Sequence, residues 1–223
     1  MVLKIGHRGA ASYEPENTLR SFQKAIELEV DMIELDIRKT KDGKIVVMHD
    51  AKVNRTTNGK GLVKSYTFDQ IRKLDAGKGE KIPTLEEVIS LVEGKCGIVI
   101  ELKEPDTEKE VVELIKEKNI ESRVIIVSFY PSILKTVKEL YPDVKLGIIT
   151  NKVPKDYLKI IKSMDVDYAM IRKDRLKGEY VDRLHKMGLK VGAWTVDDKK
   201  YFKKLIDMGV DAITSNKPDI LNL

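Results

Sequence analysis

Short runs of β-branched residues alternate with amphipathic stretches along all 223 residues of the chain. The runs predict strands over 2–6, 32–38, 97–103, 124–128, 144–149, 167–171, 190–196 and 211–214. Apolar residues at helical spacing predict helices over 17–29, 84–93, 107–118, 131–140, 154–163, 178–187 and 198–208. In the first of these, Leu19, Phe22, Ala25 and Ile26 follow the helical period, and Asn17 stands where a capping residue belongs. A last segment, 218–223, has room for little more than one turn. Three tripeptides recur where a helix closes and a strand opens: Glu29-Val30-Asp31, Asp165-Val166-Asp167 and Gly209-Val210-Asp211. Equivalent turns of this kind argue for repeated βα units. Eight strands alternating with helices fit a (β/α)8 barrel better than an open doubly wound sheet. No glycine-rich loop follows the first strand, which counts against a dinucleotide fold.

One segment interrupts the rhythm. Lys41-Asp42-Gly43 turns the chain from strand 32–38 into a second apolar run, Ile45 to Met48, ending in His49-Asp50. Residues 51–83 are then rich in Gly, Lys, Thr and Asn, with one helical patch at 67–74. An insertion of that length in a compact barrel is usually functional. This one leaves the end of a strand, where barrel enzymes keep their chemistry.

The same alternation locates candidate chemistry. In Met32-Ile33-Glu34-Leu35-Asp36-Ile37 the period of two sends the apolar residues to one face and both carboxylates to the other. Glu101 and Lys103 repeat the pattern in Ile98 to Lys103. If the apolar face meets the helices, Glu34, Asp36 and Glu101 point inward together. Like charges buried that way cost several kcal/mol unless paired or bound to metal. Lys103 accounts for one acid only, so a hard divalent cation with oxygen ligands is expected, with Mg²⁺ and Ca²⁺ both open. His7 and His49 each follow an apolar run; either alone reads as a turn residue bonded to backbone, but two beside the acids read as an acid/base couple. Arg8 offers a planar fork suited to phosphate, or a salt bridge to an inward acid. His185, among polar helix positions, reads as a solvated face residue. Trp194, at the end of a strand, reads equally as core filling or as an apolar wall for a ligand.

Composition narrows the class. Hydrophobic residues make up 42% and charged residues 35%, a globular balance. The net charge of +5 comes from 41 basic and 36 acidic residues, with the lysines scattered rather than massed, so no nucleic-acid footprint is read. The single cysteine, Cys96, excludes an intramolecular disulfide or a multi-cysteine zinc site and reads as buried packing. No apolar run approaches the roughly 18 residues of a membrane span. The amino terminus turns polar too early for a signal peptide. A soluble, cytoplasmic protein without stable membrane association is expected. Heavy Lys and Glu usage beside two glutamines resembles a hyperthermophile's composition.

His7-Arg8-Gly9-Ala10, Pro15-Glu16-Asn17-Thr18, Glu34-Leu35-Asp36, His49-Asp50 and Glu101-Leu102-Lys103 resemble the glycerophosphodiester phosphodiesterases in order and spacing. So do Arg55-Thr56-Thr57-Asn58-Gly59-Lys60-Gly61, Ile82 to Glu87, Ser128-Phe129 and Trp194-Thr195-Val196. The resemblance runs from residue 5 to about 219. It implies one TIM-barrel domain over 1–223, with a small inserted subdomain after the second strand at about 45–83. It also implies metal-dependent hydrolysis of a small glycerophosphodiester to glycerol 3-phosphate and an alcohol. On the matching positions Glu34, Asp36 and Glu101 would bind the metal, and His7 and His49 would be the acid/base pair, with neither half assigned. Arg8 and Lys103 would hold phosphate, and Trp194 would line the pocket. Two departures stand out: Thr214-Ser215-Asn216-Lys217-Pro218 replaces the usual Thr-Asp before the closing proline, and Asp197 stands where Asn is common. Rival readings are a lysophospholipase D and a catalytically silent barrel that binds a phosphometabolite.

Overall fold

The computed structural model describes residues 2–151, 161 and 164–222. Its strands are β1 (Leu3–Gly6), β2 (Met32–Lys39), β3 (Ile45–Val47), β4 (Gly97–Leu102), β5 (Val124–Ser128), β6 (Lys145–Thr150), β7 (Tyr168–Arg172), β8 (Lys190–Trp194) and β9 (Ala212–Ser215). All but β3 pair in parallel, and β1 pairs with both β2 and β9, so the sheet closes on itself. β3 returns antiparallel along the far end of β2, with Ile37 opposite Val47. Helices Leu19–Glu27, Leu85–Val92, Glu108–Lys118, Pro131–Leu140, Gly178–His185 and Lys199–Asp207 fill the connections. The fold is a TIM barrel with an insertion after its second strand. The helix expected over 154–163 lies, apart from residue 161, outside the described residues. The last short segment is a 3-10 turn, Pro218–Leu221.

Alternation along β2 sorts the barrel into layers. Ile33, Leu35 and Ile37 are fully buried against the helices, in one cluster with Phe22, Val88 and Ile100. The opposite face fills the barrel's interior, where Ile5, Met32, Val99, Val127 and Met170 pack together. Gly192 is needed there: a Cβ on it would sit 2.3 Å from Met170 Sδ. A third apolar cluster belongs to the insertion, where Val46, Met48, Val53, Val63, Ile71 and Ile82 pack with Tyr66 and Phe68 at their edge. Cys96 is buried in the layer beneath the helices, as its sequence context predicts. Among the described residues no helix is long and apolar enough to cross a membrane.

Helix starts follow local chemistry, with one correction. Thr84 and Glu87 form a reciprocal capping box at the head of Leu85–Val92, as do Thr67 and Gln70 in the insertion. The first helix, however, is capped by Thr18 and not by Asn17. Thr18 Oγ1 accepts from Ser21 N at 3.2 Å, while Asn17 sits one residue earlier at φ 58° and turns its amide elsewhere.

The recurring tripeptides are one device used three times. Glu29, Asp165 and Gly209 take the left-handed conformation at φ 58°, 48° and 80°, and Glu29 and Gly209 do so just past the ends of their helices. Two residues on, the aspartate reaches back to the preceding barrel strand. Asp31 Oδ2 accepts from Lys4 N at 2.7 Å, Asp167 Oδ2 from Leu146 N at 2.8 Å, and Asp211 Oδ2 from Val191 N at 2.7 Å. Each also donates its own N–H to that strand and accepts at its carbonyl from a strand beyond: Gly97, Lys190 and Leu3 respectively. His185, exposed as expected, pairs with Asp211 at 2.8 Å, at the N-terminal ends of the strands and away from the acids. A charge-assisted hydrogen bond to a strand amide is worth about 1.5–3 kcal/mol. Asp31→Ala should therefore lower unfolding free energy by about that amount. Urea titration with an unchanged slope measures it, and a loss within error would contradict the role of this turn.

Candidate active site

Register brings the acids together. Asp36 of β2 is the partner of Glu101 on β4, and Glu34 lies two residues back on the same inward face. One oxygen from each of Glu34, Asp36 and Glu101 lies within 4.8 Å of the others. Their exposures of 5%, 0% and 7% leave almost no water to screen the repulsion. Burial, with Asp36 and Glu101 alongside, pushes Glu34 well above the ordinary carboxylate range. Burial and then Asp36 push Glu101 up to about 7, against the pull of Lys103. Burial works on Asp36 in the same direction, but Lys103 and Arg8 outweigh it and hold this group low.

The cations answer only part of that charge. Lys103 Nζ donates to Glu101 Oε1 at 2.6 Å and stands 3.5 Å from Asp36 Oδ1. Arg8 makes the salt bridge its position allowed, with Nε 3.4 Å from Asp36 Oδ2, but its Nη1 donates to Glu16 at 2.8 Å. Asp36 Oδ1 is buried and accepts no hydrogen bond. An oxygen lone pair left bare among three clustered carboxylates suits a hard divalent cation, and these residues could hold one.

Both histidines reach the same place. His7 follows β1; its Nδ1 bonds Asn216 Oδ1 at 2.7 Å and its Nε2 stands 4.0 Å from Glu34. His49 follows β3; its Nδ1 bonds Asp50 Oδ1 at 2.6 Å, and Arg38 Nε donates to its carbonyl at 2.9 Å. Burial, assisted by Arg8, lowers His7 to about 4, so its ring is neutral near pH 7. Burial also lowers His49, against the raising effect of Asp36 and Asp50. His7, Arg8, Glu34, His49, Glu101 and Lys103 share a cavity of about 280 Å³ with Phe129 and Trp194. Trp194 packs on the core and also lines this cavity. It leans on the barrel's interior cluster, donates Nε1–H to Met170 O at 3.0 Å, and meets Phe129 edge-on at 5.7 Å.

Several contacts at the site were not read from sequence. Asn17 Nδ2 donates to Asp36 Oδ2 at 2.8 Å, and its left-handed backbone makes that reach available. Asparagine is one of the few residues that tolerates this conformation, which is the signal that competed with capping. Arg8, also left-handed at φ 51°, is held by Ser21 Oγ, which donates to its carbonyl at 2.8 Å. Gly9 is required beside it, since a Cβ there would lie 2.5 Å from the Ser21 backbone. From the insertion, Arg55 donates to both oxygens of Glu16, at 2.7 and 2.8 Å, and to Asp50 at 2.7 Å. Arg55 and His49 thereby hold Asp50 well below the ordinary carboxylate range.

A barrel that sets three buried carboxylates, two imidazoles, a guanidinium and an ammonium at one mouth carries the parts of a phosphoryl-transfer site. The model of the glycerophosphoryl diester phosphodiesterase family matches residues 7–220, and the chain belongs to that family. It is 40% identical over 232 residues to a glycerophosphodiester phosphodiesterase of Caldanaerobacter subterraneus, covering 98% of this chain and 96% of that one. A Bacillus subtilis glycerophosphodiester phosphodiesterase is 33% identical, over 99% of this chain and 85% of its own. Among solved structures, an Oleispira antarctica phosphodiesterase in complex with the product sn-glycerol-3-phosphate superposes with a TM-score of 0.93 at 29% identity. The match covers 98% of this chain and 94% of that one. The chain is a phosphodiesterase, which removes the catalytically silent reading.

Asn17→Ala should weaken divalent-cation binding by about 10- to 100-fold, the usual effect of losing a group that orients a ligand. Calorimetric titration with Mg²⁺ or Ca²⁺ tests this. Unchanged affinity would mean that Arg8 and Lys103 alone orient Asp36.

Proposed function

We propose that this enzyme hydrolyses glycerophosphodiesters to glycerol 3-phosphate and an alcohol, using one divalent cation, Mg²⁺ or Ca²⁺, at Glu34, Asp36 and Glu101. The observation that carries the proposal is a buried carboxylate triad in which Asp36 Oδ1 accepts no hydrogen bond, while Glu34 and Glu101 line a cavity with Arg8, Lys103 and both histidines. The product bound by the Oleispira antarctica phosphodiesterase supports the same substrate class. Bound there, the cation would supply positive charge against the phosphoryl oxygens as the transition state gains charge.

The protein's own groups do the rest. Arg8 presents guanidinium N–H groups and Lys103 a point charge to the phosphate. His7, neutral and tied at Nδ1, takes a proton at Nε2 from the attacking oxygen. His49 delivers a proton to the departing alkoxide, and the Asp50 carboxylate behind Nδ1 works against the burial that lowers this ring. Arg38 holds the His49 backbone, and Arg55 holds Asp50. The barrel and the insertion, residues about 45–83, thus form one catalytic unit within a single domain.

Substrates with small polar head groups fit this site better than lysophospholipids. The cavity of about 280 Å³ lies at the small end for ligand pockets. The insertion's Val63, Tyr66 and Phe68 pack with its own apolar cluster, and none of them lines this cavity to receive an acyl chain. Each buried methylene contributes about 0.8 kcal/mol only where apolar surface receives it.

Exhaustive chelation should abolish turnover of glycerophosphocholine or glycerophosphoethanolamine, and Mg²⁺ or Ca²⁺ should restore it. Full activity in metal-free protein, or a kcat/KM favouring monomeric lysophosphatidylcholine, would overturn the metal or the substrate assignment respectively. His7→Ala and His49→Ala should each cost at least about 100-fold in kcat, and the double variant little more, because one displacement uses both. Simple addition of the two losses in a double-mutant cycle would mean that the histidines act independently.

A further inference from the structure

The two departures from the resembled family's pattern, which lie 19 residues apart, meet in space. Asp197 follows β8 and Asn216 follows β9. Asp197 Oδ1 accepts from Asn216 N at 2.8 Å and from Ser215 Oγ at 3.1 Å. Asp197 Oδ2 accepts from Asn216 Nδ2 at 2.7 Å. An ionised carboxylate can only accept, so the NH₂ end of the Asn216 amide must face it. The Oδ1 end then faces the other way, where it meets His7 Nδ1 at 2.7 Å. An amide oxygen cannot donate, so the hydrogen in that contact belongs to His7 Nδ1. In the neutral ring, Nε2 is left with its lone pair, 4.0 Å from Glu34, on a residue that lines the cavity.

We propose that Asp197 is a positioning residue for the hydrolysis: acting through Asn216, it sets the tautomer and orientation of His7. The proposal rests on the reading of His7 as the proton acceptor. It also accounts for why both departures occur in one chain. With Asn at 197 alone, the amide oxygen stays on the Asn216 backbone N–H and the new NH₂ replaces Oδ2. Asn216 must then flip to accept from it, presenting its own NH₂ to His7 and forcing the hydrogen onto Nε2. Placing Asp at 216 as well restores an acceptor facing His7. The two positions are therefore a donor–acceptor pair that works in either order but not when both are amides.

The test is ¹⁵N NMR of histidine-labelled protein at mildly alkaline pH, combined with steady-state kinetics of the metal-loaded enzyme. The wild-type protein should show His7 protonated at Nδ1 and bare at Nε2. D197N should reverse this and lower kcat about 100-fold with KM nearly unchanged, the size of a lost acid–base contribution. The double variant D197N/N216D should restore the tautomer and most of kcat. A wild-type His7 protonated at Nε2, which needs no variant to fold, would overturn the proposal. So would D197N with the wild-type tautomer. A reversed tautomer with undiminished kcat would overturn the proton-acceptor reading of His7 while leaving the Asp197–Asn216 relay in place.

Discussion

Three carboxylates held out of water within 4.8 Å of one another is the constraint to which the mouth of this barrel responds. Each buried ion carries a desolvation penalty of several kcal/mol, and the mutual repulsion adds to it. Arg8 and Lys103 are drawn inward by that charge, yet Arg8 is shared with Glu16, and Glu16 in turn with Arg55. Charge therefore alternates outward in shells, negative at the triad, positive around it, negative again at Glu16 and Asp50, and positive at Arg55. The left-handed backbones of Arg8 and Asn17 belong to the same response, since they aim two side chains at Asp36 from one short loop. A site under such tension could hold a divalent cation, which would relieve what the protein's own cations leave.

The division of labour follows from the period of two along β2. Ile33, Leu35 and Ile37 on one face pack beneath the helices; the other face carries the acids. In the same interior Met32, Val99 and Met170 pack together, and Val99 and Met170 form part of the cavity's apolar lining. The insertion adds no strand to the barrel's closure. It supplies instead a separately packed platform from which His49, Asp50 and Arg55 approach the acids.

Periodicity made the barrel, its layers and the inward acids legible, because each depends on residues one to four apart. The strand ends differ from expectation by a residue or two, as at β8, which stops at Trp194 and not at 196. What sequence left unassigned depends on pairing across the fold. Asn17 meets Asp36 from 19 residues away, and Arg55 meets Glu16 from 39. Asn17 also satisfied a local rule, since asparagine before an amphipathic run is a good cap, and the neighbouring threonine took that role. Asp197 and Asn216 were visible as oddities, but nothing in a linear reading links them.

The aspartates at the helix-to-strand turns have a topological consequence. Asp211 joins β8 and β9 to β1 and so clasps the seam between the chain's first and last strands, while Asp31 joins β1 and β2 to β4. In hydrogen-bonding terms that seam is indistinguishable from an internal one such as Asp167 makes among β6, β7 and β8. The barrel is thus cyclic in its bonding although its chain is linear. Where the polypeptide begins is a genetic accident that the ring of strands does not register, and a circularly permuted gene would be asked to build the same closed object.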